Sequence, residues 1–281
     1  MILDDLLSRL RRVRRSGHGY VALCPSHDDR HHSLSLAQGS DRILIYCHAG
    51  CTIGDICDAL GNRVKALFAA SSDTRSSHSH YTNEQRLKYA RRIWEATKSA
   101  GGTVVEKYLG NRGITVPIPA AIRFCYVTCD DYPPGMRWPA LAAGIQDVNG
   151  NFTGVSVTGL CADGSDKMPV DDPRRIYGPY RGGAVRLSSQ FDTRIAIGEG
   201  IETMLSVQQA TGVPAWAALS ASNLPHMQLP AGIREVIICA DADPRGEKAA
   251  QTAALRFMRE GRRATIARPT QRGEDFNDLT L

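Results

Sequence analysis

No apolar run in the 281-residue sequence approaches the roughly 18 residues needed to cross a membrane as a helix, which excludes a helical membrane protein. The first residues, Met1-Ile-Leu-Asp-Asp, carry acids where a secretory signal needs a basic stretch and then an apolar one, so the expectation is a cytoplasmic protein. There is no internal repeat, and no low-complexity segment beyond one Ser-rich stretch. Nor is there a large surplus of one charge. Lys and Arg number 34 against 29 Asp and Glu, a balance of +5 that does not by itself establish a nucleic-acid partner. That balance is uneven along the chain: +2 over residues 1–70, +4 over 71–190 and −1 over 191–281. A polyanion is therefore expected on the first two segments, and another use for the carboxylates of the third. With 42% hydrophobic and 22% charged residues, global disorder is excluded. In a reducing compartment the eight Cys read as metal ligands or buried thiols rather than a disulfide framework.

Three composition changes suggest segments 1–68, 84–190 and 191–281, with a Ser-rich linker at 69–83. In the first, Ile2, Leu6, Leu10 and Val13 share one stripe of a helix predicted over residues 2–15, and five Arg cover the rest of it. Short strands are predicted at His18–Leu23, Ser33–Ala37 and Arg42–Tyr46. A helix follows from Thr52-x-x-Asp55 to a stop at Gly61. The second segment opens with helices near Glu84–Ser99 and Thr103–Leu109. It then turns to strands at Ile122–Val127, Ala140–Val148 and Phe152–Leu160, the last two joined at Asn149-Gly150. Residues 163–183 read as an ordered, irregular loop. The third segment alternates strand and helix: 194–198, 201–211, 215–219, 235–240, 246–260 and 263–268, with a last short helix at Asp275–Leu279. Such alternation implies a parallel sheet with helices on both faces.

Cys24-Pro-Ser-His27 and Cys47-His-Ala-Gly-Cys51 lie at the ends of predicted strands. Two such pairs suit one tetrahedral zinc ion, and a unit of about 70 residues with a thin core gains folding energy from it. By sequence alone His48 competes with Cys51 for the fourth position. Cys125 and Cys129 repeat the three-residue gap without a second pair and read as strand residues; Cys57, Cys161 and Cys239 read as packing residues. In the third segment Glu199, in Gly-Glu-Gly, ends one apolar strand, and Asp241-Ala-Asp243 ends another. Functional groups gather at the carboxyl ends of parallel strands, and three converging carboxylates call for a hard cation such as Mg²⁺, commonly in phosphate chemistry. Each acid could instead cap a helix, a reading that is strongest for Glu202. Trp94 and Trp216 read as core; Trp138 and Tyr180 read as stacking surfaces for bases. Arg11, Arg12, Arg14 and Arg15 either track a phosphate backbone or solubilise a helix.

The Glu-Gly turn, Asp241-Ala-Asp243 and Asp275-Phe-Asn-Asp278 together resemble a toprim domain of the phage- and plasmid-type primase group. CPSHDDRHHSLSL…CHAGC resembles the zinc ribbon at the front of the same group, except that Cys47-x3-Cys51 replaces the commoner Cys-x2-Cys. The fold implied is α/β: a zinc ribbon (1–68), a basic α+β subdomain (84–190) and a toprim-like sheet (191–281). The activity implied is synthesis of short RNA primers on single-stranded DNA from ribonucleoside triphosphates. One structural zinc would sit on Cys24, His27, Cys47 and Cys51. Catalytic Mg²⁺, or Mn²⁺, would sit on Glu199, Asp241 and Asp243, with Asp275 and Asp278 as outer acids. Lys167 and Arg186 match the family's context for nucleotide or template binding. The host would be a bacterium, and since no Walker A pattern is present, a replicative helicase is expected as a separate chain or a removed segment. A toprim nuclease or nicking enzyme, and a zinc-dependent single-strand-binding module without catalysis, are the alternatives.

Overall fold

The computed structural model describes residues 3–16, 19–29, 32–38, 43–61, 82–128, 136–170, 172–188, 192–269 and 275–278. The chain forms two compact units, Met1–His80 and Tyr81–Leu281. Residues 69–81 of the expected linker, and Cys129, lie outside the described residues.

The first unit is an antiparallel sheet of β1 (Arg11–Ser16), β2 (Gly19–Leu23), β3 (Leu34–Gln38) and β4 (Ile43–Cys47), in that order. Helices α1 (Leu3–Leu7) and α2 (Ile53–Leu60) accompany it. The helix expected over residues 2–15 is a correction: it stops at Leu7, and the arginines run on as an edge strand. Pairing of Arg14 with Val21 and Arg15 with Tyr20 supplies the backbone hydrogen bonds that the helix would have made. A register shift between Arg11 and Arg14, with Arg12 at φ 51°, lets Val13 still pack on the core of Leu3, Leu6, Leu34, Leu36 and Ile56. Helix α2 begins and ends where its caps dictate. Thr52 and Asp55 form a capping box, and Gly61 takes φ 91°.

In the second unit α3 (Asn83–Glu95) and α4 (Val104–Asn111) precede an antiparallel sheet. Its strands are β5 (Lys98–Ser99), β6 (Ile122–Thr128), β7 (Arg137–Gln146), β8 (Phe152–Gly159) and β9 (Arg174–Tyr177), in sheet order. Helix α3 is shorter than expected, because Lys98–Ser99 pair with β6 instead of continuing it. Strand β9 lies inside the stretch 163–183 expected to be irregular. Side-chain alternation divides this sheet's faces. Ala140, Ala142, Val155 and Val157 meet α3 through Ala90, Ile93 and Trp94, while Leu141, Ala143 and Ile145 meet α4 through Val105, Tyr108 and Leu109.

A second sheet has the order β10 (Val185–Arg186), β12 (Ala215–Ala217), β11 (Arg194–Gly198), β13 (Glu235–Cys239), β14 (Arg263–Ala267). It is parallel except at β10. Helix α5 (Ile201–Thr211) packs on one face and α6 (Pro244–Arg259) on the other. On β11, Ile195 and Ile197 point to the α6 side, and Ala196 to the α5 side. The α5 face shares one core with α4 and the antiparallel sheet: Met204, Leu205 and Val207 cluster with Val105, Leu109 and Leu141. The fold is therefore α/β, with a small ribbon-like unit in front. Asp275 and Asp278 exchange the reciprocal side-chain-to-backbone bonds of a capping box, as at a helix start, and the rest of the short helix expected at Asp275–Leu279 lies outside the described residues. Among the described residues, no helix is long and apolar enough to cross a membrane.

Candidate active site and metal centre

In the first unit the ligand atoms of Cys24, His27, Cys47 and Cys51 all lie within 4.8 Å of one another. His48 is directed elsewhere, with its Nε2 2.8 Å from Ser35 Oγ, so the fourth position goes to Cys51. His27 turns Nδ1 toward Cys51 Sγ (3.2 Å) and Nε2 toward Ser33 Oγ (3.3 Å) and Asp29 (3.7 Å). Asp29, which sequence reading passed over, organises the knuckle by accepting hydrogen bonds from the Cys24 N–H (2.6 Å) and from the N–H and hydroxyl of Ser33. Burial pushes the Cys24 thiol up to about 12. Burial also acts against the Cys47 thiolate, but N–H groups of Cys51 and Ala49 and the Ser33 hydroxyl outweigh it and hold that thiol below its ordinary range. Three sulfurs and one imidazole at this spacing can hold one zinc ion.

In the second unit, parallel pairing sets Gly198 opposite Cys239, so Glu199 and Asp241 emerge from the carboxyl ends of neighbouring strands. Burial raises the Glu199 carboxyl above the ordinary range, with Asp243 adding to it, while Arg174 and Arg245 pull the other way. Asp241 is pushed up to about 7, first by burial and then by Glu199, Asp275 and Asp243. Its Oδ1 is buried with no hydrogen-bond partner. Gly246 keeps the backbone close here: a Cβ on it would fall 2.7 Å from the Asp241 carbonyl oxygen.

Asp243 performs the capping role weighed for it, since its Oδ1 accepts from the N–H groups of Arg245 (2.8 Å) and Gly246 (2.7 Å) at the start of α6. Asp275 reaches Asp241 electrostatically, while the Asp278 side chain accepts from the Asp275 N–H. The acids do not close into a group as tight as the Cys/His set, the only such group among the described residues.

The basic residues are distributed differently from expectation. Arg186 donates to the carbonyls of Asp147 (2.6 Å) and Val148 (2.9 Å) and stacks on Trp216 at 4.3 Å, which ties the β7–β8 turn to the parallel sheet. Lys167 pairs with Glu202 at 3.1 Å. The acids are instead met by Arg174, 3.9 Å from Glu199, and by Arg245. No local sequence signal marks Arg174, because strand β9 comes from its long-range pairing with Thr158.

Glu202, in the first turn of α5, is not a surface residue. Its side chain is 14% exposed, and its Oε1 accepts from the Tyr108 hydroxyl at 2.6 Å. Burial alone would raise its carboxyl, but Lys167 and Tyr108 overcome that and hold it down to about 2, from an ordinary 4.5. This group therefore stabilises the fold above about pH 4.5, and its contribution is lost as pH falls through about 2. Glu202→Gln should cost about 2 kcal/mol near neutrality, a figure reduced for the solvent-facing Lys167. In urea titrations, the gap between wild type and variant should close toward pH 2.

Residues 194–281 match the family model of the toprim domain. The C-terminal part of the chain is a toprim domain. Residues 84–187, just ahead of the toprim domain, match a domain of unknown function, DUF7146. No curated protein matches the sequence. Among solved structures the chain is similar to the zinc-binding and RNA polymerase domains of the Aquifex aeolicus primase, at 14% identity and TM-score 0.46, covering 99% of this chain and 79% of that one. It is also similar to the Escherichia coli primase catalytic core (18%, TM-score 0.46, covering 70% and 75%). A third is the primase fragment of the bacteriophage T7 primase-helicase (15%, TM-score 0.42, covering 92% and 93%). In the toprim domain, Glu199 and Asp241 are the acids at the strand ends, and Asp243 doubles as a helix cap.

Proposed function

We propose that the protein is a DNA primase, which makes short RNA primers on single-stranded DNA by Mg²⁺-dependent nucleotidyl transfer. One observation carries the reading: the buried, unpartnered Oδ1 of Asp241 beside Glu199 at the strand ends of a toprim domain. A buried carboxylate oxygen without a donor, next to a second buried acid, suits a hard cation. Glu199 and Asp241 would hold Mg²⁺, with Asp243 contributing the oxygen not used in its cap, and Asp275 and Asp278 standing outside. Bound there, Mg²⁺ supplies the positive charge that offsets charge on the phosphoryl oxygens. Arg174 and Arg245 flank Glu199 and meet the remaining phosphate charge. Glu199, whose carboxylate burial makes more basic, is in its ionised form the group to accept the proton of the primer 3′-hydroxyl. Lys167, part-exposed beside Glu202, would contact nucleotide or template from further out, whereas Arg186 is taken up by the Asp147 and Val148 carbonyls and Trp216. The zinc-bearing unit engages template, a replicative helicase is the expected partner, and the setting is the cytoplasm of a bacterial host.

The test is direct. Single-stranded DNA, labelled ribonucleotides and Mg²⁺ should yield short RNA products with the full chain. Cleavage of the DNA without nucleotides would instead favour a toprim nuclease. Neither product would leave a zinc-dependent binding module.

A further inference from the structure

The face of the antiparallel sheet that carries Arg174 is covered in its middle, where Leu141 and Thr158 are buried, and open at its far end around Tyr126 and Arg137. Register fixes which side chains share it. Lys98, Phe124, Leu141, Thr158 and Arg174 face one another across β5 to β9. Two residues further along β6, Tyr126 lies on the same face, opposite Pro139, with Arg137 diagonal to it. The Arg137 guanidinium sits 4.9 Å above the Tyr126 ring, and Phe124 meets that ring edge-on at 5.0 Å. Tyr126 is nevertheless 52% exposed, so one side of the ring is open. Trp138, the stacking residue expected from sequence, is opposite Val127 on the other face.

The strands of this sheet carry charge of one sign. Strands β5 to β9 contain no Asp or Glu at all, and they carry Lys98, Arg123, Arg137, Arg174 and Arg175. Lys98, Arg137 and Arg174 are on the face in question.

We infer that Tyr126, braced by Phe124 and Arg137, is a base-stacking platform for single-stranded nucleic acid. Unpaired bases suit an exposed ring edged by cations, because every base has a π-face and every linkage a negative charge. Duplex DNA hides its base faces and gains nothing from the ring. The inference rests on the primase reading for what the strand is used for, but not for whether it binds.

The experiment is fluorescence anisotropy of the full chain with a labelled oligo-dT and with a duplex of equal length. Tyr126→Ala should weaken oligo-dT binding about ten-fold, leave duplex binding unchanged and leave the salt dependence unchanged. Tyr126→Phe should stay within about two-fold of wild type, since the ring is retained. Arg137→Ala should weaken both ligands and lower the salt slope by about one. Thermal melts should agree among all three variants, as both side chains are exposed. The platform is overturned if Tyr126→Ala binds oligo-dT like wild type, if it weakens duplex binding equally, or if Tyr126→Phe is as weak as the Ala variant. Its failure differs from failure of the primase reading. A protein that makes no RNA but loses oligo-dT binding through Tyr126→Ala keeps the platform. One that makes primers with oligo-dT binding untouched by Tyr126→Ala loses it.

Discussion

Asp241→Asn is expected to lower primer synthesis by about a hundred-fold or more while single-strand binding holds or tightens. The substitution removes the carboxylate whose Oδ1 is buried without a partner, and with it one negative charge from the path of a polyanion. Without Mg²⁺ the variant should also melt higher than wild type at neutral pH. In wild type, burial together with Glu199, Asp275 and Asp243 opposes the Asp241 charge, and Asn carries none. Added Mg²⁺ should stabilise wild type and not the variant, because an ion that binds only the folded state raises stability by mass action. If Asp241 were only a strand-end residue, synthesis would continue at the wild-type rate and the Mg²⁺ response would survive. Quantifying RNA products alongside thermal melts with and without Mg²⁺ separates these outcomes.

The second large effect is expected at Cys47, which is 2% exposed within the Cys/His group. Metal analysis should return about one zinc per wild-type chain, and Cys47→Ser should lose it. Apparent zinc binding energies of about 10–16 kcal/mol in small zinc modules exceed what so thin a core supplies. The first unit should therefore lose its fold, with amide exchange across β2 to β4 becoming fast. Protection in the second unit should be unchanged, because Met1–His80 and Tyr81–Leu281 are separately compact. Retention of zinc by Cys47→Ser, or protection of β2 to β4 in a zinc-free chain, would show that the four residues are not the staple.

What could be read in advance was whatever is written locally. Thr52 with Asp55, Gly61, Thr103 and Gly212 mark helix ends by chemistry confined to a few residues. The apolar runs before Glu199 and Asp241 were legible because buried parallel strands need no alternation. What could not be read depends on partners far along the chain. Tyr108 meets Glu202 across 94 residues, and nothing near either one announces the other. Arg174 lies in a stretch that reads as irregular loop, and only pairing with β8 gives it a strand and a face. The N-terminal arginines misled for the opposite reason: their helical periodicity is real, but pairing with β2 decides their conformation. At Asp243 the two readings were never exclusive, since one oxygen caps α6 and the other is left over.

The two family models part between residues 187 and 194, yet the hydrophobic core runs across that boundary. Inheritance and folding are thus cut at different places. A toprim fragment starting at Arg194 would keep its own strands but present Ile201, Met204, Leu205 and Val207 of α5 to water, where α4 and the antiparallel sheet now cover them. Glu202 would lose both Tyr108 and Lys167 in the same cut. Such a fragment has the surface of an aggregating protein. A soluble toprim-bearing version of this chain has to begin ahead of Thr82, which caps α3, rather than at the seam its sequence families suggest.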